Sequence, residues 1–379
     1  GDLLRISAEL SDGKTGFASW TDKFDRKLDD VFAIQEGIAD AVAAVMAAQT
    51  VAADKSHKKE PGGTDSIKAY DAYLRGNAFY ALRSGEAAYR SALAQYDLAI
   101  AEDPDFAAAY AARARVIVVI TSSYARASEF KAAYADALAS ARKAVKLAPD
   151  LATAHSALGY VLTQGMLDLR AARAPLEQAR KLGAGDAGVL SLYSALAAEH
   201  GRKADAESAI ASALRLDPLN PGTHRLAGFV AYCARDWTLA LDRGRKALEL
   251  NPRIDQVHAF VGDALLQQGK LAEAKAEYLA EPSDLYRLTG MAIANQRGGD
   301  AAAAREAVDK LTASFGDAAS YQLAQISAQA GQANQAIARL LHAREIGDVG
   351  LALALTDPML DPIRNRPDFS RLLSDLGFG

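Results

Sequence analysis

Three histidines recur at one spacing and are the residues in this sequence that most resemble a chemical site. His224 and His258 are 34 positions apart, and His155 precedes His224 by 69, close to two such periods. Imidazole nitrogens that share a zinc ion must each lie about 2.1 Å from it. A fixed period of this length indicates repeated units, and equivalent residues of stacked helical units lie on the order of 10 Å apart. We therefore predict that these histidines pack between helices and bind no metal.

Other short motifs give no catalytic or cofactor site. The stretch GAGDAG at 183–188 satisfies the GxGxxG pattern, but it follows a helical segment, whereas the dinucleotide fingerprint follows a strand. Cys233 is the only cysteine and is predicted near the end of a helix, whereas thiol pKa values are lowered at helix N-termini. The stretch ITSSYARASEF carries Ser and Tyr without a base or oxyanion donors. The sequence predicts no enzyme, metal or cofactor.

Composition excludes several classes of partner. Half of the 379 residues are hydrophobic, 24% are charged and the formal net charge is −4, values typical of a soluble protein with an extensive core. No basic face dominates, so nucleic acid is not predicted as a partner. No apolar run reaches the ~20 residues that a membrane helix needs, so no membrane segment is predicted in this sequence.

Repeats organise most of the chain. Pro218 and Pro252, like Gly228 and Gly262, are separated by 34 residues. Each unit has a bulky residue and Gly or Ala in a first helical segment, then Ala, a large residue and Ala in a second, usually closed by Pro. This pattern, in phase over 65–347, resembles a tetratricopeptide repeat array. It predicts an all-α, right-handed superhelix of about eight helix–turn–helix units, one of them lengthened to 45 residues by an insertion.

The two ends break the period. In 1–50, LLRISAEL and FASWTDKF predict a β-hairpin, and DDVFAIQEGIADAVAAVM predicts a helix. A polar linker is predicted over 51–64. The region 348–379, with its amphipathic FSRLLSDLGF, is predicted to be a helical cap on the last open face of the array.

Both ends also resemble parts of bacterial regulators. The stretch AELSDGKTGFASWTDKFDRKLDDVFAIQEGIADAVAAV is similar to the end of the TolB amino-terminal-like domain that precedes repeats in membrane-anchored winged-helix transcription regulators and class III nucleotidyl cyclases. DPMLDPIRNRPDFSRLLSDLGF resembles their carboxy-terminal end. The resemblance implies the sensory or scaffold part of such a regulator, on the periplasmic side of the membrane; without it, a cytoplasmic location is expected. Neither a winged helix nor a cyclase domain is present in the sequence.

The repeat resemblance implies where a partner binds. In the family, first helices line the concave groove, and a mixture of aromatic, Arg and amide side chains there is typical of interaction surfaces. We therefore expect a protein or peptide partner in the groove, with self-association through the amino-terminal hairpin or binding of a small ligand as alternatives. The groove residues predicted by this alignment are Arg115, Tyr160, Gln164, Arg225, Phe229, Tyr232, Asp263, Gln267, Arg287, Asn295, Tyr321 and Gln325.

Overall fold

The amino-terminal hairpin is present as predicted. The computed structural model describes residues 3–11, 18–27 and 62–378. Strands β1 (Leu3–Ser11) and β2 (Ala18–Lys27) pair antiparallel, with Ile6 opposite Phe24 and a bulge between Leu10 and Ser11. The helix predicted after the hairpin and most of the linker lie outside the described residues.

Sixteen α-helices in residues 62–378 form eight antiparallel hairpins, and a seventeenth helix follows them. This arrangement confirms the predicted all-α superhelix. Consecutive helices pair to form the eight units. The helix that ends at Tyr160 continues as a π-helical turn, Val161–Gly165. The helices are α1 (Ile67–Leu82), α2 (Glu86–Glu102), α3 (Ala107–Tyr124), α4 (Ala127–Leu147), α5 (Ala152–Tyr160), α6 (Leu169–Leu182), α7 (Ala187–Glu199), α8 (Lys203–Leu216), α9 (Pro221–Cys233), α10 (Trp237–Leu250), α11 (Val257–Gln267), α12 (Leu271–Ala280), α13 (Asp284–Arg297), α14 (Ala301–Phe315), α15 (Ser320–Gln329), α16 (Ala333–Ile346) and α17 (Pro367–Asp375).

Small residues set the distance between the two helices of a unit. A methyl group at Gly76 in α1 would lie 2.5 Å from Cε1 of Tyr96 in α2, and one at Gly262 would lie 2.6 Å from Cε1 of Tyr278 in α12. The second helices contribute alanines to the same contact. One of them, Ala92 in α2, is fully buried. The glycine and the large residue of each such unit therefore form one interlocking contact, because an interior at organic-crystal density leaves no room for another carbon.

The long second unit has no separate inserted loop. Its helices α3 and α4 have 18 and 21 residues, and only two residues separate them. The extra length expected as an insertion therefore extends both helices.

The superhelix closes on itself. The turn after α1 meets the turn between α10 and α11: the Asp255 backbone N–H donates to the Arg83 carbonyl oxygen at 3.2 Å. The Tyr89 hydroxyl donates to Oδ2 of Asp255 at 3.1 Å, although these residues are 166 positions apart in the chain. Contact between the first unit and the start of the sixth converts the open groove expected from sequence into a chamber.

The carboxy-terminal region caps the array and also enters the concave face. In α17, Phe369 and Leu372 pack in one cluster with Leu340 of α16, as expected for a cap. Residues 348–366, which we call the strap, instead cross the concave face in two 3₁₀ turns, Val349–Leu353 and Pro358–Ile363. The strap follows this path because its side chains Met359, Leu360 and Ile363 are at most 1% exposed there.

A candidate ligand chamber

A chamber of about 360 Å³ lies between the concave face and the strap. First helices of successive units supply most of its wall, since they face the superhelix axis. Of the twelve groove residues predicted from sequence, the structure brings nine to this wall: Arg115, Tyr160, Gln164, Arg225, Phe229, Tyr232, Asp263, Tyr321 and Gln325.

The other three predicted groove residues lie elsewhere. Nε2 of Gln267 contacts Sδ of Met359 in the strap at 3.9 Å. Arg287 forms an ion pair with Asp284 within α13, and Asn295 is buried with 6% exposure. The strap covers Gln267, so the groove predicted from the sequence is not open at that residue.

Three arginines and a tyrosine, which we call the arginine cluster, form one part of the chamber wall. The guanidinium carbons of Arg83 and Arg115 lie 5.0 and 5.4 Å from the ring centroid of Tyr80. Nε of Arg115 and Nε of Arg225 are buried without a hydrogen-bond partner in the described part of the chain. Among residues 62–378, none of the three arginines has a carboxylate oxygen within 4.0 Å. The cluster thus holds positive charge that this part of the protein does not neutralise by a direct ion pair.

The charges of the cluster act on the Tyr80 hydroxyl. Burial by itself raises the pKa of Tyr80, but the positive charges of Arg115, Arg83 and Arg225 outweigh it and lower the pKa to about 8. For Arg225, burial and the neighbouring charge of Arg83 lower the guanidinium pKa. The pKa of Arg115 shifts the other way: burial lowers it, but the neighbouring Tyr80 and Tyr96 outweigh burial and raise it.

The backbone places Arg83 in this cluster. Arg83 ends α1 in the left-handed conformation, with φ 45° and ψ 40°, which is uncommon for a residue with a side chain. Its side chain passes Gly222 near the N-terminus of α9, where an added Cβ would lie 3.4 Å from Nε. Asn220 caps that helix by accepting from the Gly222 and Thr223 N–H groups at 2.8 and 3.2 Å.

A second polar group, the carboxylate network, consists of Asp263 and Asp357 with their hydrogen-bond donors. Asp357 in the strap accepts from the Tyr321 hydroxyl and from Nε2 of Gln325, both at 2.7 Å. Asp263 accepts from the Tyr278 hydroxyl at 2.6 Å and from Tyr232 at 3.4 Å. Burial raises the pKa of both carboxyls, that of Asp263 to about 7. This network connects the strap to three of the units.

Glu199 is a third buried acid at the chamber. Nε2 of Gln164 donates to both of its carboxyl oxygens, at 2.8 and 2.7 Å. Burial raises the pKa of Glu199 to about 8, although the hydrogen bonds from Gln164 lower it.

The recurring histidines make local hydrogen bonds. Nε2 of His155 lies 2.7 Å from the Pro149 carbonyl oxygen, and Nε2 of His224 lies 2.9 Å from that of Pro218. Nδ1 of His258 instead lies 2.7 Å from Oε2 of Glu277. Each ring thus has its own protein partner in a separate unit. Cys233 is buried, and this burial raises its pKa; the GAGDAG stretch forms the turn between α6 and α7.

Sequence reasoning missed much of the arginine cluster and the strap. Tyr80 and Arg83 lie at the end of α1, outside the repeat positions that were aligned to the groove, and only closure of the superhelix brings them to the chamber. Asp357 had a local signal, because an Asp before Pro is typical of a helix start. That signal predicts a capped turn, but it does not predict which side chains donate hydrogen bonds to Asp357.

Comparisons with known proteins agree with the helical-repeat architecture. The human IFIT1 dimer with PPP-AAAA superposes with a TM-score of 0.52 at 16% identity, covering 73% of this chain and 72% of that one. A chain of the APC/C hetero-tetramer Cut9–Hcn1 superposes with a TM-score of 0.52 at 14% identity, with 80% of this chain and 55% of that one covered. The fold is a tetratricopeptide-repeat superhelix. At these identities the likeness extends to the fold alone.

One curated relative matches a short part of the sequence. A protein of Rhizobium meliloti (strain 1021) named "Putative adenylate cyclase 3" is 32% identical over 88 residues, which are 22% of this chain and 15% of that protein. The match thus spans well under two thirds of the relative. No protein-family model matches the sequence.

Membrane-spanning helices and metal sites can be assessed only for the residues that the structure describes. None of the helices there has both the length and the apolar character needed to cross a bilayer. The same residues contain no group of three or more His, Cys, Asp or Glu placed to hold a metal ion.

Proposed function

We propose that this chain is a non-catalytic binding module that encloses a small ligand in the chamber between its concave face and the strap. The observation that carries the proposal is the arginine cluster: Arg83, Arg115 and Arg225 line the chamber, and none of them has a carboxylate oxygen within 4.0 Å among residues 62–378. Burying positive charge without a counter-charge is unfavourable, and an anionic ligand in the chamber would offset that cost. Ligand sites of this kind combine apolar walls with a few convergent polar groups.

In a longer protein, the module would act as the sensory part of a bacterial signalling regulator. The resemblance of both chain ends to such regulators supports this context, as does the 88-residue match to the Rhizobium protein. Ligand binding in a chamber closed by the strap would change the stability of the closed superhelix, and a neighbouring domain can respond to such a change.

A chamber-filling variant tests the proposal. Ala195 lies on the chamber wall in α7, so Ala195→Leu places three more carbons in the ligand space. Ala302→Leu on the exposed face of α14 is the matched control. We expect native mass spectrometry of the purified chain, and thermal-shift screening of a metabolite library, to find a ligand for the parent and the control but not for Ala195→Leu. Equal ligand binding by all three proteins would place the site outside the chamber.

The strap supports a peptide as a second candidate ligand. Gln329 Nε2 donates to the Met359 carbonyl oxygen at 2.7 Å, so the concave face already binds a polypeptide backbone. If a partner peptide binds in the groove, as predicted from the sequence, it would have to displace the strap from the concave face. Hydrogen exchange then offers the test: partner binding should increase deuterium uptake in 349–363, whereas a ligand inside the chamber should decrease it.

Self-association through the hairpin stays a prediction. The β1–β2 sheet has two strands among the described residues, and an uncovered edge strand can pair with another chain. Sedimentation at increasing concentration would detect this as a monomer–dimer equilibrium, and replacement of residues 18–27 by a Gly/Ser linker should abolish it. A monomer at every concentration would exclude this role.

A further inference from the structure

We propose that the chamber binds a small organic anion, a carboxylate or phosphate compound with an apolar body, whose charged group is held by Arg83, Arg115 and Arg225. This inference rests on the proposed function, because it presupposes that the chamber is the ligand site. It adds the chemical class of the ligand and the residues that recognise it.

Local charge favours an anion over a neutral or cationic ligand. The three arginines come from α1, α3 and α9, and none has a carboxylate within 4.0 Å among residues 62–378. Asp255 interacts electrostatically with Arg225 and Arg83 but forms no direct ion pair with them, and burial raises its pKa. Arginine presents several N–H donors in a planar fork that matches a carboxylate or phosphate. An anionic ligand in the chamber would supply the counter-charge that these guanidinium groups lack within 4.0 Å among the described residues.

The backbone around the cluster also suits an anion. Gly222 lies in the first turn of α9 and on the chamber wall, so the positive end of that helix's dipole lies near the arginines. Arg83 is held in the left-handed conformation, and unusual backbone conformations of residues with side chains concentrate at binding sites. The three arginines would be unfavourable neighbours in the absence of a counter-charge, which is consistent with the lowered pKa of Arg225.

The size and the remaining wall define the body of the ligand. At about 360 Å³ the chamber accommodates a compound of metabolite size and not a folded domain. Leu226, Phe229 and Phe260 contribute apolar surface to it. The Glu199 carboxyl also lines the chamber, so a second polar group on the ligand would find a hydrogen-bond partner there. The preferred ligand therefore carries one anionic group on a mainly apolar or aromatic body.

Four probes separate charge from shape. Benzoate and phenyl phosphate combine an anionic group with an aromatic body, benzamide is the neutral counterpart of benzoate, and inorganic phosphate has no apolar body. We expect calorimetry on the full chain to detect benzoate or phenyl phosphate, with binding at least tenfold weaker for benzamide and for inorganic phosphate. A preference for phenyl phosphate over benzoate would assign a phosphate compound, and the reverse preference a carboxylate.

Variants then assign the residues. Arg225→Gln and the double variant Arg115→Gln with Arg225→Gln should weaken the binding of the anionic probes by roughly tenfold or more, while Arg142→Gln, an exposed arginine of α4, should leave it unchanged. If the double variant fails to fold by circular dichroism, Arg225→Gln alone decides. Unchanged anion binding in folded Arg225→Gln would overturn the proposal.

The Tyr80 hydroxyl reports occupancy without any binding assay. The groups that act on it are Arg83, Arg115 and Arg225, with Tyr89, Tyr96 and Tyr160 nearby. Absorbance at 295 nm should show one tyrosine that titrates near pH 8 and is absent in Tyr80→Phe. A bound anion offsets the arginine charges, so this titration should move to higher pH when benzoate or phenyl phosphate is added.

The outcomes distinguish this inference from the proposed function. If benzamide binds as tightly as benzoate and Ala195→Leu abolishes both, the chamber is a ligand site but the anion assignment is wrong. If neither anionic probe binds at millimolar concentration and the Tyr80 titration is unchanged by them, the anion assignment also fails. If the metabolite screen finds no ligand that depends on Ala195, the proposed function itself is wrong.

Discussion

The arginine cluster lines the chamber, as do Asp263, Tyr321 and Gln325 of the carboxylate network, but the two groups differ in how fully the protein pairs them. Asp357 accepts from Tyr321 and Gln325 at 2.7 Å each and from the Met359 N–H at 2.8 Å. In the arginine cluster, two buried nitrogens lack partners in the described chain. Both groups contain ionisable side chains in a poorly hydrated region, and they differ in the hydrogen-bond partners that the protein gives them.

This difference separates a structural role from a binding role. A buried polar network whose members are all satisfied stabilises one arrangement of the chain, and here it attaches the strap to the concave face. Unsatisfied buried charge lowers stability and is retained where function requires it. The two groups should therefore respond in opposite directions to removal of charge.

The largest expected effect follows from removing the centre of the network. Asp357→Ala leaves the donors of Tyr321, Gln325 and Met359 without an acceptor at a residue that is 0% exposed. We expect urea unfolding to show a loss of about 3 to 5 kcal/mol in the free energy of unfolding, because each unsatisfied buried donor costs about 1 to 3 kcal/mol. Limited proteolysis should also cleave the strap earlier than in the parent. A loss below about 1 kcal/mol would mean that the network does not hold the strap.

Glu199 is an intermediate case, since it has hydrogen bonds from Gln164 but no cation. Its pKa is about 8 in the folded chain and about 4.3 when unfolded, so the folded state binds the proton more tightly. The resulting stability is fully present below pH ~4 and is lost as pH rises to about 8, by at most ~1.4 kcal/mol per pH unit.

Glu199→Gln removes that dependence. Parent and variant should have similar urea midpoints at pH 5, and the variant should become the more stable of the two by pH 8. Measuring the difference between them cancels the other titrating groups of the chain. A difference that is constant from pH 5 to 8 would show that Glu199 titrates normally in the folded state.

Sequence predicted the units better than their closure. The Gly76–Tyr96 and Gly262–Tyr278 contacts lie within single repeats, so a local pattern of small and large residues is enough to indicate them. The hydrogen bond from Tyr89 to Asp255 joins residues 166 positions apart, and no periodicity encodes it. The path of the strap similarly depends on which concave side chains it meets.

The residues of the candidate site also fall into those that the repeat pattern predicts and those that only the closure of the superhelix explains. Arg225, Phe229 and Asp263 were found because the repeat register places them on first helices facing inward. Arg83 reaches the chamber only through the left-handed end of α1 and the closure of the superhelix. The register also placed Gln267 in the groove, but it could not show that Met359 of the strap would cover that side chain.

Compared with Asp357→Ala, Arg225→Gln should have a smaller effect on stability, and this effect should have the opposite sign. Removing one of three crowded cations relieves repulsion, so we expect the free energy of unfolding of the ligand-free protein to rise by about 1 kcal/mol. Arg113→Gln is the matched comparison, because Arg113 pairs with Asp97 and Asp136 at 2.7 and 2.8 Å and should lose stability. If Arg225→Gln and Arg113→Gln lowered the free energy of unfolding equally, the contrast between an arginine with an ion pair and one without would be wrong.

The smallest effect is expected four residues after Asp357, at the surface of the same strap. Asp361 pairs with Arg235 and Arg364 at 2.5 and 2.7 Å, but its side chain is 43% exposed. Exposed ion pairs gain little over hydration and are screened by salt, so Asp361→Ala should lower the free energy of unfolding by less than ~1 kcal/mol. That loss should shrink further at 0.5 M NaCl, whereas the loss from Asp357→Ala should not. If Asp361→Ala instead matched Asp357→Ala in urea unfolding, surface charge and not the buried network would hold the strap closed.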